Sequence, residues 1–309
     1  MDNLKGFLAS AISAVSFGLI PLFTLPLQAD GLASSSILYY RFLLAAAMVL
    51  LFMLALRKKL EVNKKELMLL LALSLLYNGS SYFLFLSFKY LASGVAYSIQ
   101  MVYPVFVVLI SVWFFKTQGS IPVIISVICG VCGVMLFSWG EAQQGANLFG
   151  VLLSLTGALC YAVYLLIVQQ TSLKKMESFK LTFYVLLFSG LFFFALAAAT
   201  GTTQPLRGHS AIYNIFMLAV VSTVIANIAL VVGIKKVGAI IASILGALSP
   251  VTSVVVGVWI FKEQFTDPVA LGLIFVMTSI FITVFSQPLD PQLKGILNRL
   301  FGHLGLHLK

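Results

Sequence analysis

Long apolar runs follow one another along the chain, separated by short polar or basic stretches. Each run has roughly the 20 residues that a helix needs to cross the hydrocarbon of a bilayer. The pattern predicts ten membrane-spanning helices, at residues 4 to 27, 33 to 56, 66 to 88, 92 to 115, 121 to 139, 147 to 169, 181 to 200, 211 to 233, 238 to 261 and 268 to 286. The first run is too long for a signal-peptide core and lacks a small-residue cleavage site, so it is counted as a span.

Composition agrees with this pattern. Hydrophobic residues make up 61% of the chain, charged residues only 9%, and the mean hydropathy is +1.08. Soluble domains carry about 25% charged residues. The composition therefore excludes a soluble protein and predicts a multi-pass membrane protein.

The net charge of +10 is explained by where the cations lie. If the N-terminus is cytoplasmic, fifteen of the nineteen Lys and Arg residues fall in cytoplasmic loops or the tail, three fall outside, and Arg41 lies within a span. Such a bias predicts that both termini are cytoplasmic. The basic loops are then expected to contact anionic lipid at the cytoplasmic face, and no nucleic acid partner is expected.

One stretch of sequence occurs twice, at residues 103–118 and 249–264. Among the pairs that match at a constant offset of 146 residues are Pro104 with Pro250, Trp113 with Trp259, Lys116 with Lys262, and Gln118 with Gln264. The two copies are the fourth span of each five-span half. Because five is odd, the second half must cross the membrane in the opposite sense to the first. The predicted fold is therefore an all-α polytopic membrane protein, with ten transmembrane helices as two inverted five-helix repeats around a central cavity.

The spans also predict the domain boundaries. Residues 1–139 form the first repeat, 140–146 an external linker, 147–287 the second, inverted repeat, and 288–309 a cytoplasmic amphipathic tail. Apolar residues recur at helical spacing in this tail, which is typical of a helix lying on the inner leaflet. A partner-binding tail is the alternative.

The repeated stretch resembles the EamA family of the drug/metabolite transporter superfamily. In that family a proline lies midway along the fourth and ninth helices, and the apolar run after it ends in a turn with an acidic residue. Glu263 matches this acid in the second copy, whereas Thr117 replaces it in the first. The resemblance implies ten helices, a bacterial inner (cytoplasmic) membrane and, most often, export of amino acids or related metabolites.

The paired prolines predict the depth of a solute site. Proline has no backbone N–H, so Pro104 and Pro250 would free the carbonyls of Gln100 and Gly246 midway through their helices. Inverted-repeat transporters bind their solutes at this depth. Helical spacing gathers polar and aromatic side chains around the prolines, and the predicted solute-binding residues are Asn78, Ser81, Tyr82, Tyr97, Gln100, Met101, Pro104, Tyr161, Tyr164, Thr223, Asn227, Ser243, Gly246 and Pro250. Single serines could instead bond to their own helix backbone.

Charged groups are scarce within the spans. All nine carboxylates fall in predicted loops or at helix ends, which argues against proton-driven export of a lipophilic cation. Arg41 is the one charge inside a span. Its side chain either extends to the outer headgroups or faces the cavity and attracts a carboxylate or phosphate of the solute.

The predicted function is alternating-access transport, with export as the expected direction, of small neutral or zwitterionic metabolites such as amino acids, including aromatic ones. The alternatives are a transporter or exchanger of small organic anions that uses Arg41, and a multidrug efflux carrier. No enzyme activity, cofactor or metal is expected, and Cys129 and Cys132 are interpreted as helix-packing residues. The expected partners are a small-molecule substrate and the bilayer, and the protein is expected to be a monomer or a homodimer. Substrate identity, direction and coupling stay open.

Overall fold

The computed structural model describes residues 2–58, 60–115, 125, 128–133, 135–136, 148–230, 232–233, 236, 245–246 and 248–285. Every regular element in these ranges is a helix. The helices are α1 (Asp2–Gly18), α2 (Ile20–Ala29), α3 (Ser34–Ala55), α4 (Lys64–Ser87), α5 (Ser93–Gln100), α6 (Tyr103–Phe115), α7 (Leu148–Gln170), a 3-10 turn (Ser172–Lys175), α8 (Ser178–Ala199), α9 (Gly208–Ala219) with a π-helical turn (Val220–Ile225), α10 (Leu248–Trp259) and α11 (Asp267–Phe285).

Most of the predicted spans have a counterpart among these helices. The first four, the sixth to the eighth, the tenth and the second part of the ninth are described. Of the fifth, only isolated helical residues are described. The predicted linker at 140–146 and the tail at 288–309 lie outside the described residues, so the domain boundaries stay a prediction.

The helices have the length and surface of membrane spans. Six are long and apolar enough to cross a bilayer: Lys5–Ala29, Ser34–Ala55, Lys64–Ser87, Leu148–Val168, Phe179–Ala199 and Gly208–Leu230. Large apolar side chains face outward from them, among them Leu51, Met68 and Leu148, which are 68%, 73% and 65% exposed. An apolar outer surface of this extent requires lipid around it. The all-α membrane fold is therefore as predicted.

The two halves pack against each other through two pairs of long helices. Helix α3 packs most extensively against α8, and α4 against α7, so each of these pairs joins one half to the other. Gly190 of α8 lies so close to α3 that a Cβ there would stand 2.6 Å from the Leu43 side chain. Small residues at such crossings let helices in a membrane approach closely.

Contacts between loops establish the relative direction of the halves. At one end of the bundle, the Gln204 amide accepts a hydrogen bond from the Ala33 N–H at 2.6 Å and donates one to the Gly31 carbonyl at 3.1 Å. We call this the Gln204 end. At the opposite end, Lys58 forms an ion pair with Glu177 at 2.8 Å, and we call this the Lys58 end. The loop between the first two spans thus lies beside the loop between spans seven and eight, as inverted repeats require.

The fourth span is interrupted close to its proline. Helix α5 ends at Gln100, a turn occupies Met101 and Val102, and α6 begins at Tyr103, one residue before Pro104. Proline fits the first turn of a helix, where its missing N–H has no partner, and disrupts an interior. The sequence predicts one continuous span at 92 to 115 with a proline in its interior, whereas the structure divides this span into two helices just before Pro104. The residues that would show the same feature in the ninth span, 237–244 and 247, lie outside the described ranges.

Candidate solute-binding site

The repeated helices of the two halves cross next to the predicted site. Gly94 of α5 lies against α10 so closely that a Cβ on it would stand 2.7 Å from the Val254 Cα. Pro250 of α10 is buried, and the neighbouring Ser249 hydroxyl donates a 2.8 Å hydrogen bond to the Ala14 carbonyl of α1. Tyr97 of α5 is 2% exposed at this crossing and interacts with Ser249. The fourth and ninth spans thus add a further contact between the halves.

Arg41 is buried in the bundle. Its side chain is 2% exposed, its Nε donates a 2.8 Å hydrogen bond to the Thr223 hydroxyl, and its Nη2 donates one of 3.3 Å to the Ser222 carbonyl. The guanidinium therefore lies among the helices and does not extend to the headgroups, while its predicted contact with an anionic solute stays a prediction. It joins α3 of the first half to the eighth span of the second.

The partners of Arg41 lie on a π-helical turn, Val220–Ile225. Thr223 is fully buried, and its hydroxyl donates to the Leu218 carbonyl at 3.0 Å while it accepts from Arg41. The Asn227 amide donates to the Thr223 carbonyl at 2.6 Å, so this amide bonds within its own span. A π turn widens the helix and shifts backbone groups out of the α-helical register, and such turns often mark functional sites.

Aromatic rings surround the Arg41 guanidinium. Its Cζ lies 5.3 Å from the Phe42 ring centroid and 5.7 Å from that of Phe85, both within the range of cation–π attraction. Tyr77 and Tyr97 also interact with it electrostatically. Together with Thr223 these residues form what we call the Arg41 site, which consists of Arg41, Phe42, Tyr77, Phe85, Tyr97 and Thr223. In the described part of the chain, all carboxylates lie in loops or at helix ends.

A row of rings leads away from this site. Phe42 contacts Tyr77 with centroids 5.5 Å apart, and Tyr77 contacts Tyr164 of α7 at 5.6 Å. Tyr164 stacks on Tyr161 at 5.7 Å, and Tyr161 meets Tyr103 edge-on at 4.8 Å. The rings connect α3, α4, α7 and α6. The predicted residues Tyr161 and Tyr164 are thus brought to the Arg41 site through Tyr77.

Two buried amides lie near α4. Asn78 is 2% exposed, and neither its Nδ2 nor its Oδ1 has a hydrogen-bond partner among the described residues. Gln100 of α5 is 6% exposed; its Nε2 donates to the Ser80 hydroxyl at 2.9 Å, while its Oε1 has no described partner. A Cβ on Gly157 of α7 would stand 3.3 Å from that Oε1. The Gln100 amide thus holds α5 to α4.

The remaining predicted residues lie in different places. Ser81 is buried on α4, while the half-buried Tyr82 ring packs on Phe193, with centroids 5.9 Å apart, and not on the tyrosine row. Met101 lies at the end of α5. Gly246 is half-buried, and a Cβ on it would have no other atom within 4 Å. Ser243 lies outside the described residues.

The residues of this region that the predicted solute-binding set does not include are Phe42, Tyr77, Ser80, Phe85 and Ser222. Phe42 has the character of an ordinary core residue, and Ser222 takes part through its backbone carbonyl, which any residue carries. Ser80 could have been identified, because a fully buried serine that neighbours a predicted site residue is a natural partner for an amide. The π turn has no signal in the sequence.

A cavity of about 520 Å³ opens at the Gln204 end. Its lining residues are Leu25, Pro26, Gln28, Ala29, Phe88, Lys89 and Phe261. It lies nearer the end of the bundle than the depth that the paired prolines predict. The Gln28 amide donates to the Phe85 carbonyl at 2.9 Å, and the Phe85 ring covers Arg41. Phe85 thus links Gln28, which lines this cavity, to the Arg41 site.

Comparisons with known proteins agree with this architecture. The model of the EamA-like transporter family matches residues 4–139 and 148–285. The uncharacterized transporters YetK and YcbK of Bacillus subtilis (strain 168) are 26% and 25% identical to this chain. The YetK match covers 80% of this chain and 77% of that protein, and the YcbK match covers 62% of each. A crystal structure with 15% sequence identity superposes with a TM-score of 0.64, over 91% of this chain and 95% of its own, and supports the fold alone. The chain belongs to the EamA-like transporter family, whose members are multi-pass membrane transporters.

Proposed function

We propose that this transporter carries small organic anions by alternating access, and that Arg41 binds the anionic group of the solute. The observation that carries the proposal is a buried guanidinium with no carboxylate partner in the described part of the chain. A buried charge without a counter-charge is costly, and a bound anion removes that cost. Arg41 uses two of its N–H groups on Thr223 and Ser222, out of the five that a guanidinium has. The others can bind an oxyanion at two points.

The charge of the Arg41 site supports one of the solute classes that the sequence leaves open. A zwitterion brings an ammonium group as well as a carboxylate, and in the described region that ammonium would find no acid to pair with. An organic anion instead leaves the site electrically neutral. The geometry therefore favours the organic-anion alternative over neutral or zwitterionic metabolites.

Zwitterionic amino acids are the second candidate, and the tyrosine row favours them. Tyr161 and Tyr164 stack with centroids 5.7 Å apart, and Tyr103 meets Tyr161 at 4.8 Å. Aromatic faces attract an ammonium group, and they also accept an aromatic body. In this version the carboxylate binds Arg41 and the rest of the amino acid lies along the rings.

The transport cycle follows from the two halves. In this proposal they rock about the crossing of α5 and α10, so that the Arg41 site opens alternately to the Gln204 end and to the Lys58 end. The basic loops at the Lys58 end face the bacterial cytoplasm and its anionic lipid, and both termini lie on that side. The cavity beside Gln28 is then the external opening, and export is the proposed direction.

Flux into proteoliposomes tests the proposal. Lactate, 1-propanesulfonate and glycerol phosphate probe three oxyanions, phenylalanine probes the zwitterion, and protein-free liposomes give the background. We expect saturable uptake of at least one anion that Arg41→Gln abolishes and Arg207→Gln retains, because Arg207 lies in the loop before α9 at the Gln204 end. Uptake of phenylalanine alone, lost in Arg41→Gln, would support the second candidate. Anion uptake that is equal in the wild type and in Arg41→Gln would refute both.

A further inference from the structure

Asn78 is a buried amide whose hydrogen-bonding atoms have no partner in the described part of the chain. It is 2% exposed, and both its Nδ2 and its Oδ1 have no partner among the described residues. Other buried or half-buried amides differ in this respect: Gln28, Gln100 and Asn227 each donate at least one hydrogen bond. Buried polar groups in proteins are almost always paired, so an amide with neither atom paired needs an explanation.

The position of Asn78 places it beside the Arg41 site. Asn78 and Phe85 are seven residues apart on α4, which is two helical turns, so they share a face of this helix. Phe85 contacts the Arg41 guanidinium. At the other side of Asn78, the Tyr77 ring contacts Phe42, which also contacts that guanidinium. Arg41 therefore lies along the stretch of α4 between Tyr77 and Phe85, and Asn78 belongs to that stretch.

We infer that Asn78 determines the specificity of the proposed transporter by binding a neutral polar group of the solute, while Arg41 holds the anionic group. This inference rests on the proposed function. The preferred solutes are organic anions that also carry a hydroxyl or a carboxamide group.

The hydrogen-bonding groups of the Asn78 amide favour a hydroxyl or a carboxamide on the solute. Asn78 offers N–H donors on Nδ2 and acceptor lone pairs on Oδ1. A second carboxylate on the solute could accept from Nδ2 only and would leave Oδ1 unpaired. An ammonium group could donate to Oδ1 only. A hydroxyl or a carboxamide both donates and accepts, so it satisfies both atoms, and an anion without such a group leaves the buried amide unpaired.

A matched pair of solutes tests the inference. 1-Propanesulfonate and 3-hydroxy-1-propanesulfonate differ by one hydroxyl, and both stay ionised, so passive leakage is small. For the wild type we expect kcat/KM to be about tenfold higher for the hydroxylated anion, since sites built to bond a solute hydroxyl discriminate strongly against its absence. In Asn78→Leu, which keeps the side-chain size, the ratio should fall to about one while 1-propanesulfonate is still carried. Ser74→Ala is the control, because the buried Ser74 hydroxyl bonds to the Leu71 carbonyl of its own helix.

The ratio of kcat/KM for the two anions is taken within each variant, so the fraction of the protein that is correctly folded cancels from it. A wild-type ratio near one, or a tenfold ratio that persists in Asn78→Leu, would overturn the inference while leaving organic-anion transport intact. If the wild type carries none of the anions that test the proposed function, or if Arg41→Gln carries them equally well, the proposed function itself fails, and the role of Asn78 fails with it. Should Asn78→Leu carry neither anion, equilibrium binding to the purified variant decides: binding of both with equal affinity supports the inference, and loss of 1-propanesulfonate binding contradicts it.

Discussion

The Glu263 carboxylate caps the first turn of α5 through Ser93. Its Oε1 accepts hydrogen bonds from the Ser93 N–H at 2.8 Å and from the Ser93 hydroxyl at 2.6 Å, and Oε2 accepts a longer one of 3.4 Å from the Gly94 N–H. Unpaired N–H groups and the helix dipole make the start of a helix favourable for an anion. Glu263 follows α10 in the second half, so this contact ties the halves together at the Gln204 end.

The local backbone directs Glu263 to this position. Lys262 has a left-handed conformation with φ of 57°, and the Glu263 N–H donates to the Gly257 carbonyl at 3.0 Å. The same contact accounts for the difference between the two copies of the repeat. At the offset of 146 residues, Glu263 corresponds to Thr117, and Ser93 corresponds to Ala239. The contact therefore joins a serine of the first copy to an acid of the second, and the equivalent pair, Ala239 and Thr117, has neither that serine nor that acid.

Removing the charge of Glu263 should destabilise the protein. In Glu263→Gln one carboxylate oxygen is lost and the remaining amide carries no charge, so we expect the free energy of unfolding to fall by about 1 to 2 kcal/mol, the usual range for an N-cap. Thermal unfolding of the purified protein in detergent measures this as a lower Tm. Glu61→Gln is the control, since Glu61 lies in an exposed loop at the Lys58 end. Equal Tm values for the two variants would show that the cap contributes nothing.

Gly257→Ala should also lower the Tm, although alanine normally stabilises a helix relative to glycine by about 0.5 to 1 kcal/mol. A Cβ on Gly257 would collide with the Glu263 carboxylate and lie 3.4 Å from the Ser93 hydroxyl, so the capping geometry would be lost. In a Glu263→Ala background the collision is absent, and there Gly257→Ala should be neutral or stabilising. Gly246→Ala is the control, because nothing lies within 4 Å of its added Cβ. Additive effects of Gly257→Ala and Glu263→Ala would contradict this account.

Features with a local physical cause could be predicted from the sequence. The helices follow from apolar runs of spanning length, and the interruption before Pro104 follows from the missing N–H of proline. The inward-facing Arg41 could only be offered as one of two alternatives, because its burial depends on the π turn that holds Thr223. The Glu263 cap was missed, since it joins residues 170 positions apart. Contacts between residues so far apart in the sequence depend on how the helices pack, and a sequence made mostly of a few apolar residue types carries little information on that packing.

Thr223→Val should weaken binding of the anion without removing Arg41. Valine keeps the shape of threonine, but the Arg41 Nε would lose its acceptor at 2.8 Å, and the orientation of the guanidinium would relax. Hydrogen bonds to charged groups contribute about 1.5 to 3 kcal/mol, so we expect KM for the anion to rise by about tenfold or more. Thr252→Val is the control, because the half-buried Thr252 donates its hydroxyl hydrogen bond to the Leu248 carbonyl within its own helix, α10. An unchanged KM in Thr223→Val would show that this bond does not position Arg41 for the solute.

Lys89 should act on the solute in a different way from Arg41. Lys89 is exposed and lines the cavity at the Gln204 end, whereas Arg41 is buried behind Phe85. An exposed cation attracts an anion through solvent, and salt screens that attraction over about 10 Å at 0.1 M.

For Lys89→Gln we therefore expect KM for 1-propanesulfonate to rise about two- to threefold at 10 mM salt when the cavity end faces the medium. This difference should disappear at 1 M salt, while the defect of Arg41→Gln persists there because a buried contact is little screened. Arg207→Gln serves as the matched control, since Arg207 is an exposed cation at the same end that does not line the cavity. If KM changes equally with salt in the Lys89 and Arg207 variants, the solute does not pass through this cavity.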